Sequence, residues 1–309
     1  MRTSRLVLLA LTGSALLAHS AAAQTGFYDL DAGRPVRVED AMVIDRYALE
    51  LEPLPLRAER IDAGGYRYLV EPHIAFGILP RTQIEIGAPF EYRDAPTRNQ
   101  GGLVGLELSG MHSFNNERQH LPAFALWAGV RLPVGALASS SARVAFKGLM
   151  TRSFAVARLH LNAEYTSSSA KSVCQPVAGG TACSPYDDGH VCFRLTPIDA
   201  SCATESVASP VVAATPVVGT TRGRWAAGLA ADHAFPLRSL ILVAGTFIQR
   251  DARRGAPLDW TAEAGLRWQL APRTALDAGV GRHFSGSDRS WSLTTGLSYE
   301  LSVARAGGR

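Results

Sequence analysis

Lysine is nearly absent from this 309-residue sequence, occurring only as Lys147 and Lys171, and arginine carries the rest of the basic charge. The formal net charge is only +4, which excludes the strong positive field expected of a nucleic-acid-binding protein. Cysteine is as sparse. Cys174, Cys183, Cys192 and Cys202 all fall in one stretch, separated by eight, eight and nine residues, without the compact CxxC unit of a structural zinc site. Beyond the N-terminal segment no apolar run reaches the roughly 18 residues of a membrane helix, so a helical bundle is excluded. Catalytic signatures are missing as well: there is no G-x-S-x-G elbow, HExxH, P-loop or GxGxxG pattern. The GVG at 279–281 continues as RHF inside a strand-like repeat, with no helix to hold a pyrophosphate. The sequence gives no ground for expecting an enzyme, a cofactor or a metal.

What is present begins with an export signal. Arg2 and Arg5 precede an apolar run from Leu6 to Ala18, and the small residues Ser20-Ala21-Ala22-Ala23 follow. This order describes a cleavable secretory peptide, expected over 1–23, and the run is too short to anchor as a spanning helix. Residues 24–309 then carry 29 basic and 27 acidic residues, a charge of +2.

The dominant signal in that mature chain is period two. In YRYLVEPHIAFG (66–77), Tyr66, Tyr68, Val70, Pro72, Ile74 and Phe76 share one face, opposite Arg67, Glu71, His73 and Ala75. Residues 82–93 repeat it, with Ile84, Ile86, Ala88 and Phe90 opposite Gln83, Glu85 and Glu91. In 155–166, Leu159, Leu161, Ala163 and Tyr165 oppose Arg158, His160, Asn162 and Glu164. Residues 260–270 place Trp260, Leu266 and Trp268 opposite Glu263 and Arg267, and 291–301 place Trp291, Leu293 and Tyr299 opposite Ser292, Ser298 and Glu300. Charge is costly against lipid and tolerable in a wet lumen, so the apolar sets face outward. Tyr165, Trp260, Trp291 and Tyr299 lie near strand ends, where interfacial aromatics belong.

Twelve strands are expected, at 43–52, 65–77, 82–93, 102–112, 122–132, 142–151, 155–166, 223–233, 238–250, 259–270, 274–284 and 290–301. Each has about the ten residues that a tilted membrane strand needs. With both termini in the periplasm, the second, sixth, eighth and tenth strands lead into short turns at 79–82, 151–154, 235–238 and 271–274. The long insertion at 167–222 then lies outside the cell. A soluble β-sandwich would also alternate, but only a closed sheet satisfies every backbone edge group within lipid. The fold expected is all-β, a transmembrane antiparallel barrel in the outer membrane of a Gram-negative bacterium. Its partners are then outer-membrane lipids, periplasmic chaperones and the barrel-assembly machinery.

The insertion is rich in Ser, Ala, Pro, Val and Thr. An even cysteine set in an exported protein suggests two disulfides bracing a surface loop, with three pairings open. The ASPVVAATPVVG segment at 208–219 is a candidate plug hairpin or a bridge. For the lumen, alternation selects Arg158, His160 and Glu164 first, with Glu71, His73 and Glu85 from the other half and Glu263 and Arg267 from a later strand. Opposed charges of this kind can orient a passing solute, or brace the wall through ion pairs.

Three segments, EPHIAFGILPRTQIEIGAPFEYR (71–93), HLNAEY (160–165) and WSLTTGLSYEL (291–301), resemble the outer-membrane barrel family associated with the meta-cleavage pathway of phenol degradation. The resemblance runs from about Leu49 to Leu301 and implies a channel for a small, aromatic or hydrophobic solute. Glu164 stands where the family motif tends to have glycine, the chain continues past Leu301 as SVARAGGR, and the cysteine insertion is a further departure. The function expected is passive passage of a small organic solute. The alternatives are a non-transporting anchor for the long loop and, needing a catalytic constellation the sequence does not display, a barrel-embedded hydrolase or lipid-modifying enzyme.

Overall fold

A computed structural model of the protein describes residues 26–31, 33–60, 65–94, 99–139, 141–168, 171–177, 180–186, 222–252, 257–284 and 290–302. The signal segment and the 208–219 stretch lie outside them.

The alternating segments close into a twelve-stranded antiparallel barrel. Its first four strands are each interrupted at mid-height: β1 (Ala48–Glu52) continues as β2 (Leu56–Arg60), β3 (Tyr66–Val70) as β4 (His73–Leu79), β5 (Thr82–Gly87) as β6 (Phe90–Asp94), and β7 (Gln100–Leu103) as β8 (Leu106–Asn115). The remaining wall strands are unbroken: β9 (Ala123–Leu132), β10 (Arg143–Ser153), β11 (Arg158–Ser168), β14 (Arg222–Ala234), β15 (Leu240–Asp251), β16 (Asp259–Ala271), β17 (Thr274–His283) and β18 (Trp291–Ser302). A separate hairpin, β12 (Lys171–Val177) with β13 (Gly180–Tyr186), rises from the long insertion. The last strand closes the wall by pairing with both halves of the first, Tyr299 opposite Leu51 and Thr295 opposite Leu56.

Proline accounts for three of the interruptions. Pro53, Pro55, Pro72 and Pro89 stand at three of the breaks, and proline cannot donate to the ladder. The sheet stays joined across them by single bonds, from Glu71 N–H to the Pro55 carbonyl (3.0 Å), Ala88 N–H to Pro72 (3.0 Å) and Val104 N–H to Pro89 (2.8 Å). The breaks of four adjacent strands therefore line up along one seam.

The turns expected to be short are short. Leu79 pairs with Thr82 across Pro80-Arg81, Phe154 N–H bonds the Ala157 carbonyl at 2.9 Å, Phe235 N–H bonds Leu240 at 3.0 Å, and Ala271 pairs with Thr274. Outward positions carry Ile74, Ile84, Ile86, Leu126, Phe146, Leu161 and Leu229, all exposed, as a lipid-facing surface requires. On β16, Trp260 and Trp268 both face outward. Eight residues separate them, about 27 Å along a strand and roughly 20 Å along the membrane normal at a tilt of ~40°. Trp291 and Tyr299 repeat that spacing on β18. On these two strands aromatics stand at both edges of an outward apolar band roughly 20 Å tall, as interfacial girdles do.

The first expected strand requires correction. Residues 43–47 are not in the wall, and the strand instead runs from Ala48 to Arg60 through the Pro53-Leu54-Pro55 break. Inward positions are even-numbered in β1 (Glu50, Glu52) and odd-numbered in β2 (Arg57, Glu59). The break inserts a residue and reverses the phase, so a period-two reading stops at Glu52.

Residues 27–31 and 33–47 form a plug inside the lumen. The segment rises from Phe27, turns at Arg34-Pro35 and descends past Asp40, with the Asp40 N–H bonded to the Leu30 carbonyl at 3.3 Å. Its apolar side chains seat on small apolar patches of the wall: Leu30, Val36 and Val38 with Ala230 and Val243, Phe27 with Ile241 and Ala275, and Ala41 with Met111, Ala123, Ala125 and Leu149.

Candidate functional site

Ion pairs and hydrogen bonds join the plug to the wall beside these apolar contacts. Arg34 pairs with Glu52 and, at 3.5 Å, with Asp277. Arg37 reaches Glu59 and Glu263, both at 3.3 Å, and its N–H donates to Glu263 at 2.6 Å. Asp31 pairs with Arg267. On the descending leg, Glu39 accepts from Lys147 Nζ at 3.0 Å, its N–H donates to Asn162 Oδ1 at 2.9 Å, and the Asn162 amide donates back to the Glu39 carbonyl at 2.8 Å. Asp40 faces Arg158 at 3.9 Å, and the Ala41 N–H donates to Thr151 Oγ1 at 2.9 Å. Buried charges are tolerable only when so paired. Burial pushes the Glu39 carboxyl up to about 7, with Lys147 opposing the shift.

Plug and wall enclose between them a cavity of about 530 Å³. Arg143, Arg224 and Asp251, close to the strand ends opposite the short turns, line part of it, as do Asp31 and Glu50 lower down. Between them the wall alternates in sign. Arg131 donates to Glu107 at 2.6 Å and lies 3.9 Å from Glu71, and Lys147 lies 3.9 Å from Glu164. Apolar surface is also present. Trp127 faces inward with Lys147 Nζ 5.0 Å from its ring centre, and Met42, Ile44, Met111 and Phe247 line the same space. The indole lies along the wall over Gly129, where an added Cβ would come within 2.4 Å of the ring.

The eight residues selected by alternation divide into two groups. Glu71, His73, Glu85 and Glu164 border the cavity. His73 Nε2 sits 3.0 Å from Glu52, and Glu85 accepts from Gln83 at 2.6 Å and Ser109 at 3.1 Å. Arg158, His160, Glu263 and Arg267 lie instead between wall and plug, the last three buried and Arg158 partly so. Arg158 donates to Asp232 at 2.5 Å and to the Tyr28 carbonyl at 2.5 Å. His160 is fully buried, 3.1 Å from Thr151 Oγ1 and 3.6 Å from Asp232. Glu263 lies 3.2 Å from Arg57, and Arg267 lies 3.2 Å from Asp277. Alternation carries no sign of what fills the lumen. Lys147, Arg131, Trp127 and the plug charges were missed as candidates.

No protein-family model matches the sequence, and no curated protein does. Among solved structures, the chain is similar to an outer-membrane channel from Pseudomonas putida F1, at 9% identity and a TM-score of 0.53 over 88% of this chain and 100% of that one. The NanC porin aligns over 80% of this chain and 100% of its own, at 9% identity and a TM-score of 0.45. The translocator domain of autotransporter NalP from Neisseria meningitidis aligns over 83% and 90%, at 12% identity and 0.45. At such identity the likeness is one of fold. Closed wall, paired girdles and this likeness together make the chain a β-barrel of the bacterial outer membrane.

Proposed function

We propose that this barrel is a passive channel through which small organic solutes cross between the medium and the periplasm. The cavity left beside the plug carries the proposal. At about 530 Å³ it falls within the range of about 300–1,000 Å³ typical of small-molecule sites. Its wall joins a lumen-facing indole to charged groups of both signs, a lining suited to an amphiphilic solute with an aromatic or apolar body and a polar group. The resemblance of three wall segments to the phenol-pathway barrels supports an aromatic solute. Glu71, His73, Glu85 and Glu164 are the proposed lining groups from the alternation, joined by Trp127, Arg131 and Lys147. No covalent step and no energy source enter this reading.

The test is solute-dependent swelling of liposomes containing the refolded barrel, comparing sugars, amino acids and aromatic acids. Faster flux of aromatic acids than of sugars of similar mass is expected, and Trp127→Ala should reduce that preference. Absence of flux for every solute, with insertion shown independently, would favour the second reading, a sealed anchor for the long loop. The plug's ion pairs and apolar contacts with the wall are the observation behind that reading.

A further inference from the structure

The outer surface of the barrel carries a feature unrelated to the pore. Arg60 on β2 and Arg282 on β17 stand at outward positions near the strand ends opposite the short turns, hence at the outer leaflet. Trp291 lies between them on β18: it is the register partner of Arg282, and Glu59↔Ser292 brings Arg60 to the same level from the other side. The Arg282 guanidinium sits 4.7 Å from the Trp291 ring centre and 5.9 Å from that of Phe284. Trp291 is 53% exposed and Phe284 43%, so this stack faces lipid. Neither arginine has a carboxylate or hydrogen-bond partner among the described residues, unlike the lumen arginines Arg34, Arg57, Arg67, Arg131, Arg158 and Arg267.

A bare cation on a lipid-facing wall is costly at mid-bilayer and becomes acceptable near the interface. There it meets headgroups. Guanidinium is the side chain best matched to phosphate, presenting paired donors in a fixed plane, and tryptophan settles at headgroup depth. Two strand spacings, about 10 Å, separate the backbones that carry Arg60 and Arg282, a gap that two arginine side chains can close over one phosphate. We propose that Arg60, Arg282 and Trp291 form an outward-facing site for a phosphate of the outer leaflet's phosphorylated glycolipid, with Phe284 holding Arg282 in place. The occupant is a membrane lipid because the site opens to the bilayer and not to the lumen.

Native mass spectrometry of the full-length barrel tests this, in micelles containing bisphosphorylated lipid A, dephosphorylated lipid A, or neither. Binding of the bisphosphorylated form should exceed that of the dephosphorylated form by about tenfold or more, as charge-assisted bonds imply. The double variant R60Q/R282Q should bind both forms alike, while Arg238→Gln, at a periplasmic turn, keeps the preference. Each single variant should lose most of it, and heat-dependent gel mobility verifies that every variant is folded. Equal binding of the two lipids by the native chain, or an undiminished preference in the variants, overturns the site. Displacement of the lipid by millimolar inorganic phosphate would assign the arginines to a free anion and overturn the lipid assignment.

Discussion

At Gly279 the wall and the plug approach more closely than any side chain allows: a Cβ there would lie 2.2 Å from the Pro35 carbonyl oxygen and 2.6 Å from Thr294 Oγ1. Gly228 has a similar relation to Val38, at 2.5 Å. Gly296 stands against Arg34, a flexible neighbour that could yield. Pro35 is backbone and cannot yield without moving the turn of the plug. Overpacking of this kind costs about 1–3 kcal/mol, and here the cost falls on the seat of the plug, leaving the ladder intact. Gly279→Ala is therefore expected to raise single-channel conductance while the barrel keeps its heat-modifiable mobility. Gly148→Ala, whose Cβ would meet only the Ala163 carbonyl at 4.0 Å, should change neither. Equal conductance in the two variants would show that Gly279 does not govern how the plug sits.

Among the elements, the wall strands were legible because lipid outside and charge inside impose the strictest alternation a sheet can show. Residues 259–270 and 290–301 were placed to within a residue or two of Asp259–Ala271 and Trp291–Ser302. The plug escaped because Val36 and Val38 alternate as wall residues do and Val43 reads as part of the first strand, although all three seat on the wall from within. Two signals could have exposed it. Inward positions of consecutive strands carry glycine (Gly265, Gly279, Gly296) where another backbone passes, and 29–40 packs acids and arginines more densely than a wall segment does. A pH response also belongs to the plug. Burial lifts Glu39 to about 7, against Lys147, and lifts Asp40 too, against His160 and Arg158. Both groups hold their protons better in the seated plug than in water. The contribution of Glu39 to the seat is complete below its ordinary value of 4.5 and is lost as pH rises through about 7. For Glu39 it is worth at most about 3 kcal/mol. Planar-bilayer recordings should show conductance rising between about pH 5 and pH 8, with much of that rise removed by Glu39→Gln. A flat profile in the native chain would mean that the plug does not leave its seat. For the β12–β13 hairpin, the register sets Cys174 opposite Cys183, a spacing compatible with a disulfide. Non-reducing peptide mapping should link those two and leave Cys192 for Cys202, and any other pairing would contradict the register.

For the whole molecule, the question is what the barrel needs in order to stand. The wall is held by a closed ladder that runs through all twelve strands, including the proline seam, where single backbone bonds bridge each break. The plug adds ion pairs to wall charges such as Lys147, Glu263 and Arg267, together with a few small apolar contacts. If the plug were absent, those charges would not face lipid or a dry core. Water would enter the lumen and solvate them, so the usual penalty for stranding a buried charge would largely disappear. Deleting residues 26–47 is accordingly expected to leave a barrel that still inserts and shows heat-modifiable mobility, with a conductance several-fold above that of the full-length chain. That result would make the plug a restriction placed in a self-sufficient wall, and flux through the intact protein would then measure how far the restriction is open. A deleted chain that fails to assemble would instead make the plug part of the folding core, and the cavity beside it a void in a structural anchor.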